Sequence, residues 1–195
     1  MDSTSIAEQL GQNGLCVCPH FLSQTSLSET RHDLDEIQSR GNFKRAGIGK
    51  NNDQNVLNQT RHDETYWLER HLCNTTQSLL WDKLDLLKQA FNRTLFLGLG
   101  DFEGHYATYP EGGFYKRHLD CAQQKSDRMV TVVIYLNHNW QESDGGKLRI
   151  YSESSFIDIN PIGGTMVCFM SQESEHEVLE SHATRYSFTG WFKNN

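Results

Sequence analysis

Residues 101–120 read DFEGHYATYPEGGFYKRHLD, and the fold class follows from this stretch and its continuation. Two runs with strand-like alternation, 101–109 and 115–120, flank a Pro-Glu-Gly-Gly turn. Strand-like runs then recur to the end of the chain, at 129–136, 147–151, 156–159, 165–170, 176–179 and 185–192, with glycine-rich turns at 143–146 and 160–164. Many short strands with regular turns predict a barrel or a double-sheet jelly roll.

The first half of the chain differs, because its apolar residues follow a helical period. Residues 19–40 and 71–91 each predict an amphipathic helix that covers a sheet, and we expect their charged runs to face solvent. Strand-like pieces near 14–18, 43–45 and 65–68 complete two packed antiparallel sheets. Helices and strands are segregated rather than alternating, which argues against a parallel dinucleotide-binding fold.

These patterns predict a mainly β protein with supporting α-helices. We expect a single domain over residues 1–195, with helical support mainly in 1–95 and a jelly-roll core of two packed antiparallel sheets over 101–192.

Composition narrows the function classes. A net charge of -7 and a sequence pI of about 5.7 argue against general nucleic-acid binding. The sequence contains no run of 18 apolar residues, so no membrane span is predicted. Residues 1–14 lack the basic segment followed by an apolar segment that is typical of a secretory leader. We therefore expect a cytoplasmic protein, and by default a monomer.

The five cysteines, at 16, 18, 73, 121 and 168, fit no disulfide framework and no Cys-x-x-Cys metal site. Free thiols are therefore expected, and a redox role for Cys16 and Cys18 is the alternative.

Two candidate metal ligands lie in the quoted stretch. His118 and Asp120 are two residues apart, so both side chains face the same way in a strand. The third ligand must come from a distant segment, and His176, just after the apolar run 165–170, is the best candidate. Two histidines and one carboxylate suit non-haem Fe(II). Zn(II) accepts the same donors, and an ordinary polar cluster is a further alternative.

Arg185 makes the metal interpretation more specific. It lies nine residues after His176, and strand alternation places it on one face with Ser187, Thr189 and Trp191. An arginine that points into a barrel needs a carboxylate partner, and its planar fork suits a bidentate pair. A dicarboxylate that chelates the metal at one end and meets Arg185 at the other satisfies both demands. The alternative is an ordinary ion pair with an Asp or Glu of the chain.

With Arg185 included, the sequence resembles a known family. The order His118, Asp120, His176 and Arg185 is that of the 2-oxoglutarate oxygenases, which are built on a double-stranded β-helix. Four segments are similar to the prolyl 4-hydroxylases, above all to the bacterial relatives of the hypoxia-inducible-factor prolyl hydroxylases. These segments are 109–120, 130–137, 145–150 and 182–191, and the resemblance runs over most of residues 15–192.

The resemblance implies a role for each matching residue. His118, Asp120 and His176 would bind Fe(II), and no side chain is assigned as a general acid or base. The 2-oxoglutarate site would consist of Arg185, Tyr135, Tyr109, Thr189 and Leu148. Substrate contacts would come from Tyr115, Trp191, Arg128, Arg117, Arg61 and Asp63. The aromatic residues in both sets also fit ordinary core packing.

The polar segment 45–61 matches the mobile loop that this branch closes over its substrate, although a tolerated surface insertion would look the same. Arg61 and Asp63 stand where this segment meets its strand.

The implied activity is that of a procollagen-proline-type peptidyl-prolyl 4-hydroxylase, with connections to oxygen sensing. It would use Fe(II), 2-oxoglutarate and O2, with ascorbate as a candidate reductant, and would release succinate and CO2. A protein prolyl residue is the expected target, and elongation factor Tu is the leading candidate partner. The alternatives are an oxygenase of small molecules or other side chains, and a non-catalytic metal-binding or sensor module.

Overall fold

The computed structural model describes residues 1–47, 59–120 and 127–194 of the chain. Eleven strands are present in these ranges: β1 (Leu15–Cys18), β2 (Lys44–Arg45), β3 (Glu64–Leu68), β4 (Leu99–Tyr109), β5 (Tyr115–His118), β6 (Arg128–Tyr135), β7 (Leu148–Tyr151), β8 (Phe156–Ile159), β9 (Met166–Met170), β10 (His176–Val178) and β11 (Arg185–Asn194). They form a seven-stranded sheet in the order β1-β9-β6-β11-β4-β3-β2 and a four-stranded sheet in the order β5-β10-β7-β8.

Every strand pairing within the two sheets is antiparallel, as the sequence predicts for a jelly roll. The strand bounds differ from the predicted ones by no more than about two residues at each end. The predicted fold class, mainly β with two packed antiparallel sheets and supporting helices, is therefore confirmed. The assignment of residues 1–195 to a single domain stays a prediction.

Three α-helices lie in the described residues: α1 (Ser3–Asn13), α2 (Gln24–Ser39) and α3 (Thr75–Leu95). Two short 3-10 helices span Arg70–Leu72 and Glu142–Asp144. Helix α2 begins later than its apolar pattern suggests because the Ser23 hydroxyl caps it by accepting a hydrogen bond from the backbone N–H of Ser26. No α-helix in the described ranges is long and apolar enough to cross a membrane.

Helix α1 was not predicted, because only Ile6, Ala7 and Leu10 of its residues are buried and they give a weak periodic signal. The Asp2 side chain caps its first turn, and Gly14 ends it in the left-handed conformation.

The seven-stranded sheet separates two hydrophobic clusters. One lies between this sheet and the helices, and includes Tyr106 and Phe188 from β4 and β11. The other lies between the two sheets, and includes Tyr109, Tyr135 and Leu148. We call the sheet surface that faces the second cluster the inner face. Because side chains alternate along a strand, the odd-numbered residues of β4 and β11 point to the inner face.

The prediction that the charged runs of the helices face solvent is wrong for Asp33 of α2, which is buried. Its carboxylate accepts hydrogen bonds from Asn74 Nδ2 (2.6 Å), Gln77 Nε2 (2.9 Å) and the Tyr106 hydroxyl (2.8 Å). The Asn74 and Gln77 side chains also form the capping box at the start of α3. Asp33 therefore connects α2, α3 and β4, a set of contacts between distant segments that local periodicity does not encode.

Cys16, Cys18, Cys73 and Cys168 are free thiols, and Cys121 lies outside the described residues. Residues 48–58 of the segment 45–61 also lie outside them, so its predicted closure over a substrate is not described.

The Asp33 contacts give a stability prediction. Asp33→Ala leaves two buried donors, on Gln77 and Tyr106, and one partly buried donor, on Asn74, without an acceptor, so the free energy of unfolding should fall by about 2–4 kcal/mol in urea denaturation. Tyr106→Phe removes one of the three bonds and should cost only about 1 kcal/mol. Equal losses in the two variants would contradict the role of Asp33 as the shared acceptor.

Candidate active site

The three predicted metal ligands lie together at the neighbouring strands β5 and β10 of the four-stranded sheet. His118 ends β5 and His176 begins β10, and the two residues are direct partners in the antiparallel register. Asp120 follows β5, with its two carboxylate oxygens 3.5 Å from His118 Nε2 and 3.5 Å from His176 Nε2. All ligand atoms lie within 4.8 Å of one another. Neighbouring ligands about 2.1 Å from a metal are separated by about 3 Å, so this spacing suits a bound cation.

Hydrogen bonds fix each ligand in a metal-binding orientation. His118 Nδ1 lies 2.7 Å from the carbonyl oxygen of Lys116, and His176 Nδ1 lies 3.0 Å from that of Ser174. A carbonyl oxygen only accepts, so both Nδ1 atoms carry the proton and both Nε2 lone pairs are free for a metal.

Asp120 is held by a hydroxyl on the inner face. Thr131 Oγ1 donates to Asp120 Oδ2 at 2.8 Å and lies 2.8 Å from Ser171 Oγ. Neither Thr131 nor Ser171 was singled out from the sequence as a site residue. The alternation of β6 is the signal that could have placed Thr131 in the site.

The protonation states of the cluster also fit a metal. Burial disfavours the Asp120 carboxylate, but His176 and His118 hold the pKa of Asp120 below its usual range. Burial lowers the pKa of His176, so its imidazole stays neutral. A carboxylate and neutral imidazoles are the forms that bind metal ions.

Arg185 lies on the inner face and is 1% exposed. Its Nε donates to the carbonyl oxygen of Gly146 at 3.0 Å, and its Nη1 lies 3.5 Å from Ser187 Oγ. No carboxylate in the described ranges lies within 4.0 Å of its guanidinium nitrogens. The ion-pair alternative therefore finds no support there, and the charge is available to an anion.

Gly146 makes room for this arginine. Its φ is +59°, and a Cβ there would lie 2.8 Å from Ser181 Oγ and 3.1 Å from Arg185 Cδ. The sequence suggested only a turn at this glycine.

Two tyrosines flank the guanidinium. The centre of the Arg185 guanidinium lies 4.9 Å from the ring of Tyr109 and 5.2 Å from that of Tyr135. The Tyr135 hydroxyl is buried beside the Arg185 guanidinium and, apart from that group, has no hydrogen-bond partner in the described residues. Burial raises the pKa of Tyr135 to about 12, so the hydroxyl keeps its proton and can donate to an anion. The Arg185 guanidinium and the neighbouring Tyr135 hydroxyl thus face the same space, where no carboxylate of the described residues lies.

The strand register shows the sequence of residues along the inner face, from the end at Arg185, which can bind an anion, to the end at Thr131, which holds the metal ligand Asp120. Along β11, Arg185 lies opposite Tyr109, Ser187 opposite Tyr135, and Trp191 opposite Thr131. Thr189 lies between these ends, opposite His105 on one side and Val133 on the other. Leu148 reaches the same space from the four-stranded sheet. The predicted 2-oxoglutarate residues therefore lie on the inner face or pack against it.

Tyr115, Arg61 and Asp63 lie beside the metal cluster. The Tyr115 ring stacks on His118 with centroids 3.6 Å apart, and the Arg61 guanidinium lies 4.1 Å above Tyr115. Arg61 makes a bidentate pair with the buried Asp63 carboxylate, at 2.7 and 2.6 Å. This pair fixes the described end of the segment 45–61 next to the cluster.

The remaining predicted substrate residues lie in different places. Arg128 stacks 3.6 Å above Trp191 and donates to Glu103 at 2.8 and 2.7 Å. Arg117 instead pairs with Glu175 and lies 3.9 Å above the Tyr151 ring. The structure thus brings Arg128 and Trp191 together, and gives Arg117 partners outside the metal cluster.

His105 is a residue of the inner face that the sequence did not single out. It lies between Trp67 and Trp191, with ring centroids 4.7 and 5.4 Å away. Burial, together with the charges of Arg61 and Arg128, lowers the pKa of His105 to about 3. Its position on β4 four residues before Tyr109, on the same strand face, is the signal that could have found it.

Comparisons with known proteins agree with this geometry. Residues 104–193 match the model of the 2OG-Fe(II) oxygenase superfamily. The fold superimposes on a prolyl-4-hydroxylase from Pseudomonas putida with a TM-score of 0.90 and 33% sequence identity, covering 99% of each chain. It also superimposes on a prolyl hydroxylase from Trichoplax adhaerens, solved with a hypoxia-inducible-factor peptide fragment, with a TM-score of 0.90 and 28% identity, covering 98% of this chain and 89% of that one.

Among curated proteins, the hypoxia-inducible factor prolyl hydroxylase of Caenorhabditis elegans is 29% identical over 96% of this chain. The chain spans about a quarter of that relative's length (27%). These similarities agree with the His-Asp-His cluster and the inner-face arginine. The chain therefore belongs to the 2OG-Fe(II) oxygenase superfamily and, within it, to the prolyl hydroxylases.

Proposed function

We propose that this protein uses Fe(II), 2-oxoglutarate and O2 to convert a prolyl residue of a polypeptide into 4-hydroxyproline, with succinate and CO2 as coproducts. The observation that carries the proposal is Arg185, a buried guanidinium without a carboxylate partner in the described residues, on the same inner face as the Thr131 that holds Asp120. A cation site and an anion site on one buried sheet face suit a metal-binding dicarboxylate.

The residues present divide the work of binding. His118, Asp120 and His176 would hold Fe(II), which when bound supplies O2 activation coupled to the oxidative decarboxylation of 2-oxoglutarate. Arg185 and the Tyr135 hydroxyl would bind the distal carboxylate of 2-oxoglutarate. Tyr109, Thr189 and Leu148 would enclose its carbon chain and exclude water.

A polypeptide target is supported by two relatives. The Trichoplax prolyl hydroxylase was solved with a peptide, and the C. elegans relative is named for the hypoxia-inducible factor. These names favour a partner of that kind over a procollagen-like chain, although the hydroxylation chemistry is shared. We assign substrate contact to Tyr115, Trp191 and Arg128, and to the Arg61–Asp63 pair at the base of the segment 45–61; Arg117, paired with Glu175, is the outermost candidate.

Elongation factor Tu is the candidate partner that we propose first, with ascorbate as a supporting reductant and the cytoplasm as the compartment. A role in oxygen sensing would follow from the requirement for O2. The small-molecule and non-catalytic alternatives are outcomes of the experiments below.

Removal of the anion-binding charge should act on 2-oxoglutarate selectively. Arg185→Ala should raise the KM for 2-oxoglutarate at least about tenfold, because a charge-assisted hydrogen bond contributes roughly 1.5–3 kcal/mol. The Fe(II) requirement should change little. Arg149→Ala is the matched control, since Arg149 pairs with Asp158 on the four-stranded sheet. An unchanged KM for 2-oxoglutarate in Arg185→Ala would show that this arginine is structural.

The metal site can be tested with two substitutions, one that removes a ligand and one that removes only the hydroxyl that holds this ligand. Asp120→Ala should abolish Fe(II) binding and turnover together. Thr131→Val keeps the side-chain shape but removes the hydroxyl that holds Asp120, and should weaken metal affinity about 10–100-fold in a competition with a chelator. Thr108→Val is the control, because the Thr108 hydroxyl is buried with no hydrogen-bond partner among the described residues and β4 directs it to the opposite face. Full turnover in Asp120→Ala would refute the ligand assignment.

The substrate can be identified by mass spectrometry of cell proteins incubated with enzyme, Fe(II), ascorbate and 2-oxoglutarate. We expect a gain of one oxygen atom on a specific prolyl residue, absent with Asp120→Ala, and elongation factor Tu is examined first. Turnover of 2-oxoglutarate that depends on an added small molecule, with no modified protein, would favour the small-molecule alternative. Absence of any 2-oxoglutarate turnover would favour a non-catalytic module.

A further inference from the structure

Helix α3 carries two leucines on the side that faces away from the sheet. Leu79 is 56% exposed and Leu86 is 58% exposed, whereas Leu80, Leu84 and Leu87 of the same helix are buried in the core. Seven residues make almost two helical turns, so the two exposed side chains lie on the same side of α3. Single exposed leucines are ordinary, but two that are aligned at the spacing of a coiled-coil seam offer apolar surface that a second helix can cover.

Two charged residues, Asp82 and Lys83, lie between these leucines. Both are exposed, and neither has an ion-pair partner within 4.0 Å among the residues that the structure describes. The neighbouring Asp85 instead pairs with Arg70 and Lys88. Hydrogen bonding to Asp85 raises the pKa of Arg70, and the charge of Asp82 adds to this effect without an ion pair of its own. Adjacent residues of a helix do not face each other, so Asp82 and Lys83 are both available to a partner.

We call Leu79, Asp82, Lys83 and Leu86 the α3 stripe, and its order is complementary to itself when the helix is reversed. In an antiparallel pair of α3 helices, a two-fold axis that passes between residues 82 and 83 sets Leu79 opposite Leu86 of the second copy. The same axis sets Asp82 opposite Lys83 of the second copy. A parallel pair would instead bring Asp82 beside Asp82, so the charges select the antiparallel arrangement.

We propose that the α3 stripe is a self-association surface, through which two copies of this chain form an antiparallel dimer with two-fold symmetry. The sequence predicts a monomer by default. A contact through one helix is small beside the roughly 1,600 Å² of a standard interface, so the dimer should be weak, with a Kd of about 10–100 µM. Helix α3 covers the helical side of the seven-stranded sheet and the metal cluster lies on its other side, so the dimer leaves both active sites uncovered.

Charge reversal tests both the contact and its antiparallel register. Wild type, Asp82→Lys, Lys83→Asp and the double variant Asp82→Lys/Lys83→Asp are compared by sedimentation equilibrium from about 5 µM to about 1 mM, a range that brackets the expected Kd. Leu79→Gln tests the apolar contact. Ile162→Gln is its matched control, because Ile162 is 53% exposed but lies in the turn before β9. Urea unfolding of every variant checks that the fold is unchanged.

The average mass of wild type should rise from 22.5 kDa towards twice that value as the concentration increases. Each single charge reversal sets like charges opposite each other at two symmetric places, and should weaken the dimer at least about tenfold. The double variant restores opposite charges and should bind to itself within about threefold of wild type. Leu79→Gln should weaken the dimer at least about tenfold, and Ile162→Gln should leave it unchanged.

A mixture of the two single variants gives the sharpest result. Asp82→Lys places two lysines on one helix and Lys83→Asp places two aspartates on the other, so an antiparallel heterodimer restores both ion pairs. We expect this heterodimer to form with an affinity within about threefold of wild type, although each variant alone stays largely monomeric.

Three results would overturn the inference: a wild type that remains monomeric at about 1 mM, a Kd that neither single reversal changes, or single variants that fail to combine with each other. The second result would show that the copies meet through another surface. None of these measurements depends on catalysis, so they leave the proposed prolyl hydroxylation untouched.

Discussion

The site depends on one physical constraint, the burial of a positively charged side chain. Arg185 is 1% exposed, and its guanidinium has no carboxylate partner in the parts of the chain that the structure describes. An uncompensated buried charge costs several kcal/mol, and one carbonyl oxygen, one distant hydroxyl and two tyrosine rings offset only part of that. An anion completes the arrangement, so stability and chemistry converge on the same ligand.

Because side chains alternate along each strand, the seven-stranded sheet packs against the helices with one face and lines the site with the other. Even-numbered residues of β4 and β11, such as Tyr106 and Phe188, pack against the helices, while odd-numbered residues line the inner face. A one-residue slip in register would exchange these sets and bury Phe188 in the site. Asp33 opposes such a slip, because its carboxylate holds the Tyr106 hydroxyl from the helical side. The helical layer thus maintains the register on which the geometry between Arg185 and the metal cluster depends.

The sequence predicts what local patterns encode. Strand alternation and turn residues were sufficient to predict all of the described strands, and the helical period of apolar residues predicted two of the α-helices. The two-residue spacing of His118 and Asp120 predicted that both side chains lie on one face. Helix α1 was missed because its buried surface is small. Buried Asp33, the Thr131 hydroxyl on Asp120, and the placement of His105 between two indoles depend on contacts between distant strands and helices. Such contacts leave no periodic signal in any single segment.

In the proposed site, one dicarboxylate spans from the metal cluster to Arg185. Calorimetric titration of 2-oxoglutarate and of 2-oxobutyrate, which lacks the distal carboxylate, into metal-loaded wild type and Arg185→Ala tests it directly. We expect Arg185→Ala to weaken the binding of 2-oxoglutarate at least about tenfold and to leave the binding of 2-oxobutyrate unchanged, and we expect metal removal to weaken the binding of both acids. Equal effects of Arg185→Ala on the two acids, or binding of 2-oxoglutarate that does not depend on the metal, would contradict this arrangement.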